Sequence, residues 1–255
     1  MSENGAKGDE KMTVLGETAR AVGRFFDERT DQYEGKTSSP YWRLLREITW
    51  QHVRKFLPRD KGARVLDAGG ATGYWSIRLA NEGYGVVLFD ASEGMLAIAE
   101  KKIAQAGLSG KIETVLGDLT DLREFSEASF DAVLAVEEPL SFCGDADMAL
   151  AEMALVTKPD GMVAVSVMNR FKSRELEKFI KKGDVDGLEK FLGSGVSGRG
   201  TKTESPISTR AFSASEVESL LGSNGLEVVS SIGKPVFAEA AAGRLSEPDV
   251  FSRIL

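Results

Sequence analysis

Apolar positions along the chain fall into two registers that take turns. Short, nearly continuous apolar runs occur at 64–67, 86–90, 112–116, 132–136 and 162–167. Between them, at 73–82, 93–106, 121–127 and 145–157, apolar residues recur at helical spacing. Strands without polar alternation need cover on both faces, so this order predicts a doubly wound, mostly parallel α/β sheet. Upstream, 13–30 reads as a helix with an apolar face, followed by a polar loop that contains Tyr33. Ser39-Pro40 opens a further helix, with Pro at its first position. Tyr41, Leu44, Leu45, Ile48 and Phe56 recur along it, and Leu57-Pro58 ends it. Downstream, 172–192 reads as two short charged helices. Residues 193–205, rich in Gly, Ser and Thr, read as a mobile lid. Ser213 caps a helix to Ser223, and Leu226–Ile232 reads as a strand.

The expected organisation is one domain with four parts. A tail and helical cap occupy 1–60, the tail fraying over 1–12. The α/β core occupies 61–170, a lid insertion 171–211, and the C-terminal part of the core 212–255.

Composition narrows the chemistry. The 255 residues are 42% hydrophobic, which suits a folded core rather than a disordered chain. No apolar run approaches the length of a membrane span, and the first residues contain no apolar signal segment. With one cysteine, Cys143, and one histidine, His52, an internal disulfide is excluded, and neither a Cys/His zinc site nor another metal is expected. The expected compartment is the reducing cytoplasm. A net charge of −7 argues against a surface devoted to nucleic acid. His52 reads as a helix-packing residue and Cys143 as a small hydrophobe.

The most informative segment is Arg-Val-Leu-Asp-Ala-Gly-Gly-Ala-Thr-Gly-Tyr-Trp at 64–75. An apolar strand ends in Asp67, a turn of Gly69, Gly70, Ala71 and Gly73 follows, and a helix starts at once. Such a turn lets a ligand approach the backbone at a helix N-terminus. Asp90 ends the next strand, where an acid roughly 20 residues on suits a ribose diol. A glycine turn alone serves a nicotinamide dehydrogenase equally well. Three features separate the readings: the leading Asp67, the Gly-x-x-x-Gly spacing in place of G-x-G-x-x-G, and a third acidic corner at Gly117-Asp118-Leu119.

Together with Phe-Asp-Ala-Val-Leu-Ala (130–135) and Lys-Pro-Asp-Gly-Met (158–162), these segments resemble the class I S-adenosylmethionine-dependent methyltransferases over residues 30–235. The resemblance implies a Rossmann-like fold with S-adenosyl-L-methionine as cofactor and S-adenosyl-L-homocysteine as product. It also implies roles. Asp67, Gly69, Gly70 and Gly73 would shape the pocket of the methionine moiety. Asp90, with Ala91 beside it, would hold the ribose. Asp118 would reach the adenine amino group, with Leu119 packed beside the ring. Ala135 and Val136 would border the sulfonium. Ala71 departs from the glycine frequent in that family. Arg-Glu-Ile-Thr-Trp-Gln (46–51) resembles the tRNA wobble-uridine carboxymethoxy methyltransferases, which implies a contact of Arg46 with the cofactor carboxylate. The C-terminal segment departs from the family: Pro235–Ala238 is a strand candidate and a helix follows, with no final hairpin strand in sight.

For the acceptor the signals are sparser. Glu137 or Glu138, just past the fourth strand, would serve as a general base. Tyr33 would fold over the cofactor, while Arg170 and Arg210 would hold an acidic substrate group. Three functions follow. The first is methyl transfer to a small-molecule acceptor. The second is a tRNA methyltransferase, with Arg170, Lys172, Arg174, Lys181, Lys182, Arg199 and Lys202 gripping the backbone. The third is a non-catalytic cofactor-binding protein.

Overall fold

The structure, a computed structural model, describes residues 15–199 and 207–234. Its centre is a five-stranded sheet of β1 (Arg64–Ala68), β2 (Gly85–Asp90), β3 (Ile112–Leu116), β4 (Phe130–Ala135) and β5 (Thr157–Val165). The spatial order is β3-β2-β1-β4-β5 and every pairing is parallel. Strand order therefore reverses between β1 and β4, which opens a crevice at their carboxyl ends.

Side chains alternate across the sheet and feed two cores. Val65, Val86, Leu88, Ala132 and Leu134 pack with Trp50, Trp75, Leu79, Ala99 and Ile103. Those partners come from α3 (Pro40–Val53), α4 (Tyr74–Asn81) and α5 (Glu93–Gln105). Leu66, Val87, Phe89, Val133 and Ala135 face the other way, onto Leu150 and Met153 of α6 (Ala146–Val156). Residues as deeply buried as Leu66, Leu88 and Leu134 contribute about 1.5–3 kcal/mol each. That is why the strands, read as apolar runs, appear at their expected places.

Several expectations fail locally. The polar segment after α1 (Glu17–Asp27) is not a loop but a helix, α2 (Thr30–Thr37), which carries Tyr33. It lacks an apolar stripe and is pinned from outside, by Glu34 to Lys102 at 3.0 Å. No helix forms at 121–127. Asp118 Oδ1 accepts from the Thr120 amide and Asp121 Oδ1 from that of Arg123, while the Leu122 amide donates to Glu152, so side chains take the amides a helix needs. α3 stops at Val53, before Leu57-Pro58.

α7 (Arg174–Lys182) and α8 (Val185–Ser194) are the two charged helices expected there. Residues 196–199, expected to be mobile, instead form β6 (Val196–Arg199), antiparallel to β7 (Ile207–Arg210). Gly195 permits this: its φ is +71°, and a Cβ there would lie 1.9 Å from the Ala211 carbonyl. Ser213 caps α9 (Ala214–Ser223) in a full capping box with Glu216. Leu226–Ile232 pairs with no strand among the described residues, and Val229 is 72% exposed. The candidate strand Pro235–Ala238, the helix after it and the 1–12 tail lie outside the described residues. No described helix is long and apolar enough to cross a membrane.

α1 lies across the crevice at the carboxyl end of β2. A Cβ on its Gly23 would sit 2.3 Å from the Ala91 carbonyl, so the helix docks only because that position has no side chain. Gly35 in α2 has open space around it. Gly23→Ala is therefore predicted to lower unfolding free energy by about 1–3 kcal/mol, whereas Gly35→Ala leaves it unchanged or raises it by about 0.5–1 kcal/mol. Paired urea titrations check both; equal effects would show that α1 does not rest on Ala91.

Candidate active site

The glycine turn is tied to β2 before any ligand is considered. The amides of Gly69 and Gly70 share the Phe89 carbonyl, at 2.7 and 3.2 Å. Gly69 and Gly73 both have φ of +78°. The space a side chain would need is filled by the protein itself: a Cβ on Gly69 would meet Pro139 at 2.6 Å, and one on Gly70 the Asp67 carboxyl at 2.7 Å. The glycines are thus demanded by packing within the turn. Ala71, where the family favours glycine, has φ of +45° and carries left-handed strain of about 1–2 kcal/mol.

Asp90 closes this corner. Its Oδ2 accepts from the Ala71 amide and its Oδ1 from the Ser92 amide, each at 2.9 Å. Burial lifts its pKa to about 6, against those backbone hydrogen bonds. The carboxyl is fixed in orientation, and each oxygen keeps a lone pair for a further donor. Asp27 of α1 reinforces the same corner, accepting from Ser92 Oγ at 2.5 Å and from the Gly94 amide at 2.8 Å. Asp118 lies where α1 begins: a Cβ on Gly16 would stand 2.8 Å from its Oδ2. Its other oxygen is held by Thr120.

Past β4 the backbone bends sharply. Glu137 and Glu138 have φ of +70° and +80°, which for non-glycine residues costs about 1–3 kcal/mol each. Ser166 Oγ steadies both by accepting from their amides at 2.9 and 3.2 Å. Arg46, only 7% exposed, donates from Nε and Nη2 to the two oxygens of Glu137 at 2.6 and 3.0 Å. The Trp75 indole donates to Oε1 at 3.0 Å. The Arg46 plane lies 4.0 Å from the Tyr74 ring centre. Burial, then the Glu137 charge, pushes the Tyr33 hydroxyl far above its ordinary pKa, placing that side chain at the same cluster. Lys234, which the sequence reading missed, also arrives here. Its ammonium pKa is lowered by burial and held up by the charges of Glu138 and Glu137.

The other candidate residues have partners of their own. Glu137 is engaged by three donors, so it is not poised as a free general base. Leu119 and Ala135 are buried in the apolar cluster with Phe89 and Val133, and Val136 in the cluster on the other face. None of the three is more than 8% exposed. Arg170 is not available to a substrate: it is 6% exposed, donates to the Leu192 and Ala211 carbonyls, and pairs with Glu216 at 2.5 Å. Arg210 lines a separate cleft of about 200 Å³ with Ser141, Thr209 and Phe212, and stands 3.4 Å from Glu216. Of the basic residues proposed to grip tRNA, Arg170 and Lys181 are paired with Glu216 and Glu177. Lys202 lies outside the described residues, as does the Arg199 side chain.

Asp67 ends β1 with 1% exposure. Ser76 Oγ donates to its Oδ2 at 2.6 Å, while the buried Oδ1 has no partner among the described residues. Burial raises its pKa to about 7, with the nearby Glu137 and Asp90 charges adding to the rise and the Ser76 hydrogen bonds opposing it. A carboxyl raised on folding favours the folded state below its unfolded pKa of about 3.9, and loses that contribution as pH climbs through the folded value. Asp67→Asn keeps the acceptor for Ser76 and cannot ionise. The loss of stability between about pH 5 and about pH 8 is predicted to be smaller in this variant by about 1–3 kcal/mol. Urea titrations at both pH values check it, and an unchanged slope would mean that Asp67 ionises at no cost.

With this geometry in hand, known proteins are informative. Residues 65–161 match the methyltransferase domain family. Malonyl-[acyl-carrier protein] O-methyltransferase of Erwinia pyrifoliae is 38% identical over 117 residues, covering 44% of this chain and 40% of that protein. Demethylmenaquinone methyltransferase of Corynebacterium efficiens is 32% identical over 146 residues, covering 57% of this chain and 58% of that protein. The chain thus spans about half the length of these curated relatives. Among solved structures, 1,6-didemethyltoxoflavin-N1-methyltransferase of Burkholderia thailandensis, with bound 1,6-didemethyltoxoflavin and S-adenosylhomocysteine, aligns with a TM-score of 0.61. That alignment has 20% identity and covers 89% of this chain and 86% of that one, a likeness of fold. The turn at Gly69–Gly73, the acidic strand ends and these likenesses agree: residues 65–161 are similar to the methyltransferase domain family, on a fold like that of S-adenosylmethionine-dependent methyltransferases of known structure.

Proposed function

We propose that the protein binds S-adenosyl-L-methionine in the crevice between β1 and β4 and transfers its methyl group to a small-molecule acceptor. Asp90 carries this reading. Its carboxyl sits at the end of β2, is oriented by the Ala71 and Ser92 amides, and keeps a lone pair on each oxygen for the two hydroxyls of a ribose. The surrounding residues fit the rest of the ligand. Asp67 has a buried oxygen without a donor, suited to an ammonium group. Arg46 has a guanidinium fork, filled here by the Glu137 carboxylate and suited to a ligand carboxylate in its place. Asp118, at the end of the β3 loop, has an oxygen free of Thr120 and suited to an amino group on a purine.

When bound, the cofactor supplies an electrophilic sulfonium methyl. The protein's own task is then to align an acceptor behind that methyl and exclude water. α1 and α2 supply the cover, held through Asp27 on the start of α5 and through Glu34 on Lys102. Glu138, next to Glu137 past β4 and electrostatically coupled to Lys234, is the second carboxylate at this end of the crevice. The acceptors in the relatives' names, a malonyl-[acyl-carrier protein] and demethylmenaquinone, support a small or carrier-borne acceptor. Burial of Arg170 in its pair with Glu216 removes one of the cations that would grip a nucleic-acid backbone.

Calorimetric titration tests the reading. S-adenosylhomocysteine is predicted to bind at micromolar level, NADH not to bind, and Asp90→Ala to weaken the first by about 100-fold. Preference for NADH, or an affinity indifferent to Asp90, would overturn it.

A further inference from the structure

The cage around Glu137 is a complete carboxylate-binding site that the protein fills with its own side chain. Two guanidinium donors and one indole donor converge on the two oxygens within 3.0 Å. These donors come from α3 and from the first turn of α4, so the cage stands at the glycine turn, where the crevice opens. Arg46 has little else to offer a ligand. Its remaining nitrogen makes only a long contact with the Thr37 carbonyl, at 3.4 Å. An external carboxylate therefore reaches the fork only if Glu137 leaves it.

Three observations bear on whether Glu137 leaves. It reaches Arg46 from one of two consecutive left-handed residues, a conformation that side chains rarely adopt. Lys234 stands near both glutamates, so a displaced Glu137 would find another cation rather than an unpaired burial. The nearby Asp67 keeps a buried oxygen without a donor, so the pair Arg46 and Asp67 presents complements to both ends of an amino-acid head group.

We infer that Glu137 is a stand-in for the ligand's carboxylate: it holds the Arg46–Trp75 cage in the free protein and yields it, towards Lys234, when a carboxylate-bearing ligand binds. This rests on the cofactor reading above. Glu137 is then a specificity-determining residue. It lowers affinity for any ligand with a free amino-acid carboxylate and leaves unaltered the affinity for the same nucleoside without one.

Calorimetry on wild type and Glu137→Gln with two ligands separates the possibilities. S-adenosylhomocysteine carries the carboxylate, and 5′-methylthioadenosine is the corresponding thioether without the amino acid. The variant is expected to bind the first about tenfold tighter and the second unchanged. If it binds S-adenosylhomocysteine equally well or more weakly while 5′-methylthioadenosine still binds, Glu137 merely props Arg46 and the inference is overturned. If wild type binds neither ligand, the cofactor reading fails and takes the inference with it. Should the variant not fold, a crystal structure of the wild-type complex with S-adenosylhomocysteine decides. The ligand carboxylate about 3 Å from Arg46 Nε and Nη2, with Glu137 turned away, supports the exchange; Glu137 still on the fork refutes it.

Discussion

The shared acceptance of two amides by the Phe89 carbonyl is the contact on which this crevice depends. It pulls the turn after β1 against the end of β2. Only then does the Ala71 amide reach Asp90, and only then does α4 start beneath the turn with Trp75 in its first turn. The turn can lie so close because Gly69 and Gly70 lack the Cβ that would strike Pro139 and Asp67. Sterics at two residues thus bring Asp90 and Trp75 to the same corner.

Electrostatics then builds on that frame. The carboxyl ends of the strands gather Asp67, Asp90 and Glu137 in a region depleted of water, where an unpaired charge is costly. Each is handled differently. Asp90 is stabilised by backbone amides, Glu137 by a guanidinium fork, and Asp67 by one hydroxyl and a pKa drawn up to about 7. The last is the least satisfied. Sites that await a ligand commonly keep such residual mismatch, because a group already fully paired gains little from binding.

The N-terminal helices join these two levels. α1 docks on the Ala91 carbonyl and Asp118 through its glycines, and its Asp27 caps α5. Phe26 of α1 packs edge-on with Tyr33 of α2 and with Phe142, ring centres 6.4 and 5.3 Å away. The cap is therefore part of the wall over Asp90 and Arg46 as much as an appendage to the sheet.

What the sequence by itself determined is what local sterics and periodicity encode. Five apolar runs become five parallel strands: β1, β2 and β4 are buried nearly throughout, and β3 and β5 flank them as partly covered edges. The order Asp67, Gly69, Gly73 and then Asp90 is readable because turn, helix start and strand end are consecutive in the chain. Roles that depend on a distant partner were decided only by the tertiary structure. Arg170 is consumed by Glu216, 46 residues on, and Glu137 by Arg46, 91 residues back. Leu119 and Ala135 sit in the loop and strand where the resemblance places ligand contacts, and only the alternation of the sheet and the arrival of α6 show that they also pack in the apolar cluster of that face. Lys234 carries no motif at all and matters only because the chain after α9 returns to the end of β4. Charges and hydroxyls acquire function from whatever meets them, and the identity of that neighbour is fixed when the long-range packing closes, not by the residues beside them in the chain.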